Sequence, residues 1–137
     1  MPPRITLTAL GACAALLAGC ATPGSPACAP GAQRAVSELL YFGTARPGGV
    51  VSAEEWSEFL ATAVTPRFPQ GLSAWPATGQ WRSADGSLTR ENSYVLNLLH
   101  PDDDAEERAV RAITDEYKAR FRQEAVLRVR SVACVTY

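Results

Sequence analysis

The chain has 137 residues, 47% of them hydrophobic, and its 13 basic and 14 acidic side chains leave a net charge of −1. That balance excludes a partner recognised through excess positive charge, nucleic acid above all, and no basic cluster marks a membrane-binding surface. The length allows one modest hydrophobic core and not two.

Arg4 is the only charged side chain ahead of an apolar stretch from Ile5 to Leu17. A spanning helix needs about twenty apolar residues, whereas a signal-peptide core needs roughly 7–15, so the stretch reads as the latter. It narrows to Ala18 and Gly19 and meets Cys20. Leu17-Ala18-Gly19-Cys20 resembles the lipobox of bacterial lipoproteins. The resemblance implies a signal peptide over residues 1–19, a diacylglycerol on the Cys20 sulfur, cleavage before Cys20 and acylation of the new amine by a palmitate-type chain. An ordinary signal peptide with a cysteine at its cleavage site is the alternative. Several acyl chains make a stable anchor, since each buried methylene adds about 0.8 kcal/mol and a single chain holds only marginally. Ala21, rather than aspartate, follows the cysteine. By the same resemblance this places the protein in the bacterial cell envelope, on the outer membrane if the envelope is Gram-negative. The remaining 118 residues carry 12 basic and 14 acidic side chains, because Arg4 leaves with the signal. The membrane is then reached through lipid and not through protein surface.

Residues 20–33, with ATPGSPACAPG at 21–31, are punctuated by proline and glycine and read as a flexible tether. Residues 34–137 form the single domain. AVSELLYFGTA at 35–45 is a short apolar and aromatic strand, and RPGG turns the chain. SAEEWSEFLATAV opens on a capping box, Ser52 with Glu55, and Trp56, Phe59, Leu60, Ala63 and Val64 recur at helical spacing. Pro66 ends that helix after Thr65. LSAWPATGQWR at 72–82 is a strand in which Pro76 marks an edge or a bulge, and Asp85-Gly86 turns it into its partner, LTRENSYVLNLLH at 88–100. Asp104 is placed to cap a second helix, whose inner face is Val110, Ile113, Tyr117 and Phe121. The last strand, AVLRVRSVACVTY, sets Leu127, Val129, Ala133 and Val135 against Arg128 and Arg130. The order βαββαβ predicts an α+β, ferredoxin-like fold: an antiparallel four-stranded sheet, both helices on one face, the first and third strands central.

Those central strands are apolar on both faces. Leu40 and Phe42 alternate with Leu39 and Tyr41, and Leu96 and Leu98 alternate with Val95 and Leu99. Two helices cover only one face of a sheet, so the other needs a cover of its own. A homodimer packed through the open face is one expectation; coverage by the tether and the TPRFP loop is the other.

Thr65-Pro66-Arg67-Phe68-Pro69, GQWR at 79–82, Glu91, Ser93 and FRQEAVLRV at 121–129 resemble domain-of-unknown-function family 3574 over about residues 38–137. The resemblance implies a bacterial, secreted or lipoprotein-like chain and carries no activity with it.

Catalytic and cofactor signatures are thin. His100 is the lone histidine, with no HxH, CxxC or carboxylate–histidine grouping beside it, and is expected as a water-exposed residue at a strand end. No GxSxG elbow and no glycine-rich phosphate loop is present, and no catalytic residue, metal site or cofactor is assigned. A polar set amid aromatics remains: Arg67, Gln80, Trp81, Arg82, Glu91 and Tyr94. Arg82 and Glu91 sit on opposite arms of the hairpin and are expected to face each other across it, with Arg67 reaching towards the sheet. One reading is a structural Arg–Glu pair. The other is a ligand site, in which Arg67 or Arg82 forks onto an anionic group and Trp81 or Tyr94 supplies a flat wall. The function expected is a noncatalytic binding or interaction module; the alternative is a small anionic-ligand binder or an enzyme of the dimeric ferredoxin-like α/β type. An envelope protein and a small ligand both remain open as partners.

With Cys20 acylated and Cys13 removed with the signal, Cys28 and Cys134 are the remaining thiols. The fold sets the start of the first strand beside the end of the last, and export places both cysteines where disulfides persist. A Cys28–Cys134 bridge is expected.

Overall fold

The computed structural model describes residues 27–82 and 85–137. Residues 1–19, expected as a signal peptide, Cys20 and the first part of the expected tether lie outside the described residues.

The elements are β1 (Gln33–Gly43), β2 (Ala45–Arg46), β3 (Gly49–Val50), α1 (Ala53–Phe59, continued by a π-helical turn over Leu60–Val64), β4 (Ser73–Arg82), β5 (Leu88–His100), α2 (Asp104–Phe121) and β6 (Leu127–Val135). β2 and β3 make a small ribbon, and the long strands form one antiparallel sheet in the order β4-β5-β1-β6. This is the expected ferredoxin-like α+β arrangement, with β1 and β5 central. The paired positions Leu40–Leu96 and Phe42–Tyr94 share one face of the sheet. Trp56 and Phe59 of α1 and Val110, Ile113, Tyr117 and Phe121 of α2 bury in the same cluster as these residues, so both helices lie on that face.

Local chemistry explains the elements. The Ser52 hydroxyl accepts from the Glu55 amide at 3.2 Å and the Glu55 carboxylate accepts from the Ser52 amide at 2.9 Å, which closes the capping box. One guanidinium nitrogen of Arg46 donates to both oxygens of the same carboxylate, at 2.8 and 2.9 Å, and ties the β2–β3 ribbon to the start of α1. Gly48, with φ of 85°, supplies the left-handed residue of the RPGG turn. Pro66 ends α1 where expected, and the Thr65 amide reaches back to the Leu60 carbonyl at 2.8 Å. For α2 the N-cap is Asp103 and not Asp104. Asp103 is extended, its carboxylate accepts from the Ala105 and Glu106 amides, and Asp104 becomes the first helical residue. In a run of three aspartates the composition suits a cap at each position, and the backbone geometry of the strand-to-helix turn selects one.

Phe42 is the hub of the core, with ring centroids of Trp56, Phe59 and Tyr117 at 5.2, 5.9 and 4.6 Å. The Tyr117 hydroxyl donates to the Gly43 carbonyl at 2.9 Å, which satisfies the one polar atom this large ring buries.

β6 differs from the expectation. Register pairs Leu40 with Arg128 and Glu38 with Arg130, so the two arginines point to the helix side, and Leu127 and Val129 face away from it. Glu38 is fully buried on the helix side of β1 and needs cations beside it. That requirement decides the strand's facing against its apolar residues.

Candidate functional site

The polar set read from the sequence does not converge. The Arg67 guanidinium donates to the Ala63 carbonyl at 2.5 Å and pairs with Glu116 of α2 at 3.3 Å, fastening the helices together instead of reaching the sheet. Arg82 donates to the Gly86 carbonyl at 2.9 Å inside the hairpin turn. It stands across from Leu88, and Glu91 across from Gly79, so the expected Arg82–Glu91 pairing is corrected by the register. Tyr94 stacks on Trp56, centroids 4.6 Å apart and planes 3° apart, and belongs to the core. The backbone of Trp81 lies in β4 opposite Thr89.

Gln80 and Glu91 alone of the set share a groove, of about 590 Å³, with Thr44, Ala45, Arg90 and Asn92. Its polar groups already hold one another: the Arg90 Nε donates to Gln80 at 2.8 Å and the Glu91 carboxylate accepts from the Ala45 amide at 2.8 Å. Glu91 also occupies the space that a Cβ on Gly43 would need. Burial pushes the Glu91 carboxyl above the usual range, opposed by the Ala45 hydrogen bond. Glu91 thus latches the turn after β1 to the sheet.

A second polar cluster was not anticipated. His100, expected in water, is buried. Its Nδ1 lies 2.6 Å from the Pro101 carbonyl, an oxygen that can only accept, so Nδ1 bears a hydrogen in that contact. Its Nε2 lies 3.7 Å from Glu38. Arg128 forks onto Glu38, its Nε donating at 2.8 Å, and reaches Glu107 of α2 at 2.6 and 2.9 Å. Arg111 donates to Glu107 at 2.7 Å, and with Arg128 holds that carboxyl down at about 2. Arg130 pairs with Asp102 and stands 3.4 Å from Glu38. The cluster bolts β1, β6 and the first turns of α2 together, and each of its cations is already neutralised by an acid of this chain. The sequence signal for it was present: a glutamate at an inward position of an apolar strand, and alternating arginines on the last strand.

Cys28 and Cys134 are bridged, their Cα atoms 5.5 Å apart. The register places Cys134 opposite Arg34, near the start of β1, as the expected topology requires.

The open face of the sheet gathers apolar side chains that no helix covers. Register aligns Trp75, Val95, Tyr41 and Leu127 in one row across all four strands. The next row towards the β1 N-terminus is Ser73, Asn97, Leu39 and Val129; the row on the other side is Ala77, Ser93 and Gly43. Trp75, Leu99, Leu127 and Val129 are 42 to 61% exposed. The rows from Leu99 to Trp75 hold no charged residue, the Glu91 carboxylate fills the Gly43 position of the Ala77 row, and Ser37 bonds Asn97 within the face at 3.4 Å. Phe68 of the TPRFP loop buries in the core on the helix side.

A family model described as "Protein of unknown function (DUF3574)" matches residues 37–137. The chain belongs to DUF3574. The match spans nearly the whole ferredoxin-like domain, from within β1 to the last residue of the chain. No curated protein sequence matches it. Among solved structures, a phage SAM lyase in complex with S-methyl-5'-thioadenosine is similar at a TM-score of 0.59 and 17% identity, covering 82% of this chain and 95% of the lyase. The apo lyase gives 0.52 and 18%, over 76% and 90% of the two chains. CutA from Synechococcus elongatus gives 0.45 and 14%, over 74% and 78%. At such identities the lyase likeness shows the fold alone.

Proposed function

We propose that this DUF3574 chain is a noncatalytic interaction module of the bacterial cell envelope, anchored through acylated Cys20 and working through the open face of its sheet. The observation that carries the reading is the set of exposed apolar side chains on that face, Trp75, Leu99, Leu127 and Val129. Exposed apolar residues gathered on one sheet face mark an interaction surface. Export is supported by the Cys28–Cys134 bridge, since such bonds persist in oxidising compartments. Among the described residues no helix is long and apolar enough to cross a membrane, which fits attachment by lipid.

The alternatives, a small anionic-ligand binder or an enzyme, have less behind them. Arg67 and Arg82, the donors such a ligand would need, are engaged within the chain. Nucleoside chemistry is not carried over from the phage lyase.

Fractionation of cells expressing Cys20→Ala tests the anchor. The variant is expected in the soluble fraction or as unprocessed precursor; normal processing with membrane retention would overturn the lipid-anchored reading.

A further inference from the structure

We infer that the cavity at the bridge end of the open face binds an uncharged saccharide chain. The inference rests on that face being the interaction surface and names the chemistry it takes.

The cavity, of about 500 Å³, opens where the start of β1, the end of β5 and the loop before β4 meet, and its volume suits a small ligand. Ala35, Leu72 and Leu99 give it apolar surface, and Gln33, Gln70, Ser73 and Asn97 stand among them. Arg34 and His100 also border it, but register sets both on the helix side of the sheet, opposite Cys134 and Val36.

Three observations select a saccharide. The first is a set of unspent polar groups. Among the described residues the side chains of Gln33, Gln70 and Ser73 have no hydrogen-bond partner, and Asn97 uses only its oxygen, which accepts from Ser37. The groove of Gln80 and Glu91 differs, because its polar groups hold one another. A side-chain amide offers a donor and an acceptor side by side, and a hydroxyl offers both at one atom, the pattern that neighbouring sugar hydroxyls match. The second is the absence of charge from the cavity side chains of the open face. A phosphate or carboxylate ligand calls for a guanidinium or an ammonium there. The third is Trp75, which is 42% exposed on the same face, one row beyond Ser73. Rows on one face are about 6.8 Å apart, so a chain of linked sugar rings leaving the cavity meets the indole, whose flat face packs on the C–H face of a ring. An extended peptide suits the place less well. It would be held by main-chain bonds along the β4 edge, where Pro76 carries no amide hydrogen.

The cavity is also held in shape. Phe68, buried in the core, fixes the loop that carries Gln70, and the Cys28–Cys134 bridge fastens the strand ends beside Gln33. Groups fixed before binding lose little freedom on binding.

The test titrates the full chain, purified in detergent, with the uncharged tetramer of N-acetylglucosamine in a calorimeter. The tetramer is expected to bind. Gln70→Ala, Asn97→Ala and Trp75→Ala are each expected to lower the affinity by about tenfold, the worth of one lost contact, and Gln80→Ala in the other groove to leave it unchanged. An intact Cys28–Cys134 bridge and the parental melting temperature report that each variant folds. No binding, or binding that Gln80→Ala weakens as much as the cavity variants do, would overturn the saccharide site. Binding of capped tetra-alanine that the cavity variants weaken would overturn it in favour of a peptide. A photo-reactive benzoylphenylalanine in place of Leu127, on the opposite edge strand, separates this from the wider reading. Crosslinks to another macromolecule in intact cells without tetramer binding would overturn the saccharide alone. Neither crosslinks nor binding would overturn the interaction module with it.

Discussion

Removing the Cys28–Cys134 bridge should cost this domain most of an ordinary protein's stability. The bridge joins residues 106 apart in sequence. Closing a loop of that length lowers the entropy of the unfolded chain by about 16 cal/mol/K, or about 4.8 kcal/mol at 25 °C. The domain has about 110 residues to unfold, with an entropy of roughly 0.23 kcal/mol/K, so the melting temperature should fall by about 20 °C. Native-state contacts near the bridge are few, since Cys28 precedes the first residue of β1 and Cys134 lies on an edge strand. The effect should therefore come through the unfolded state. Urea unfolding followed by circular dichroism, on the oxidised chain and on Cys28→Ala/Cys134→Ala, measures it. The expected result is a loss of about 3–5 kcal/mol, with a larger dependence on urea in the variant because its unfolded chain exposes more surface. A loss below about 1 kcal/mol would refute the loop-closure account.

Two further predictions concern the polar cluster. Arg128→Met leaves Glu38 buried without its fork and should destabilise the domain by about 3–5 kcal/mol, whereas Glu38→Leu/Arg128→Met should recover most of that; equal losses in the two variants would refute the pairing. Glu107 is held at about 2, below its ordinary value of 4.5, so its contribution is fully present above pH 4.5 and is lost as pH falls towards 2. Its side chain is a quarter exposed, which limits the effect to about 1 kcal/mol. Wild type should exceed Glu107→Gln in urea midpoint at pH 5 and match it near pH 2, and a gap independent of pH would refute the assignment.

The sequence by itself determined the four long strands, the two helices and their order. Helical and alternating periodicities, the Ser52–Glu55 box, Pro66 and Asp85-Gly86 are local signals, set by residues within a few positions of each other, and the βαββαβ order leaves few topologies. The Cys28–Cys134 bridge followed from that topology together with the small number of cysteines, and the apolar alternation of β1 and β5 already pointed to a sheet face without a helical cover.

Tertiary structure alone decided which residues meet. Facing on β6 depended on a buried acid some ninety residues away, so Arg128 and Arg130 turned inward against their own local pattern. Arg82 and Glu91 were separated by hairpin register, which a shift of one or two residues in the turn would have changed. His100 was buried by Phe68 and Glu38, neither of them close to it in sequence. The row of Trp75, Val95, Tyr41 and Leu127 likewise exists only once four separate strands are set in register. Periodicity is a property of one segment, whereas a charge's partner and a surface's continuity are properties of several, and only packing brings those several together.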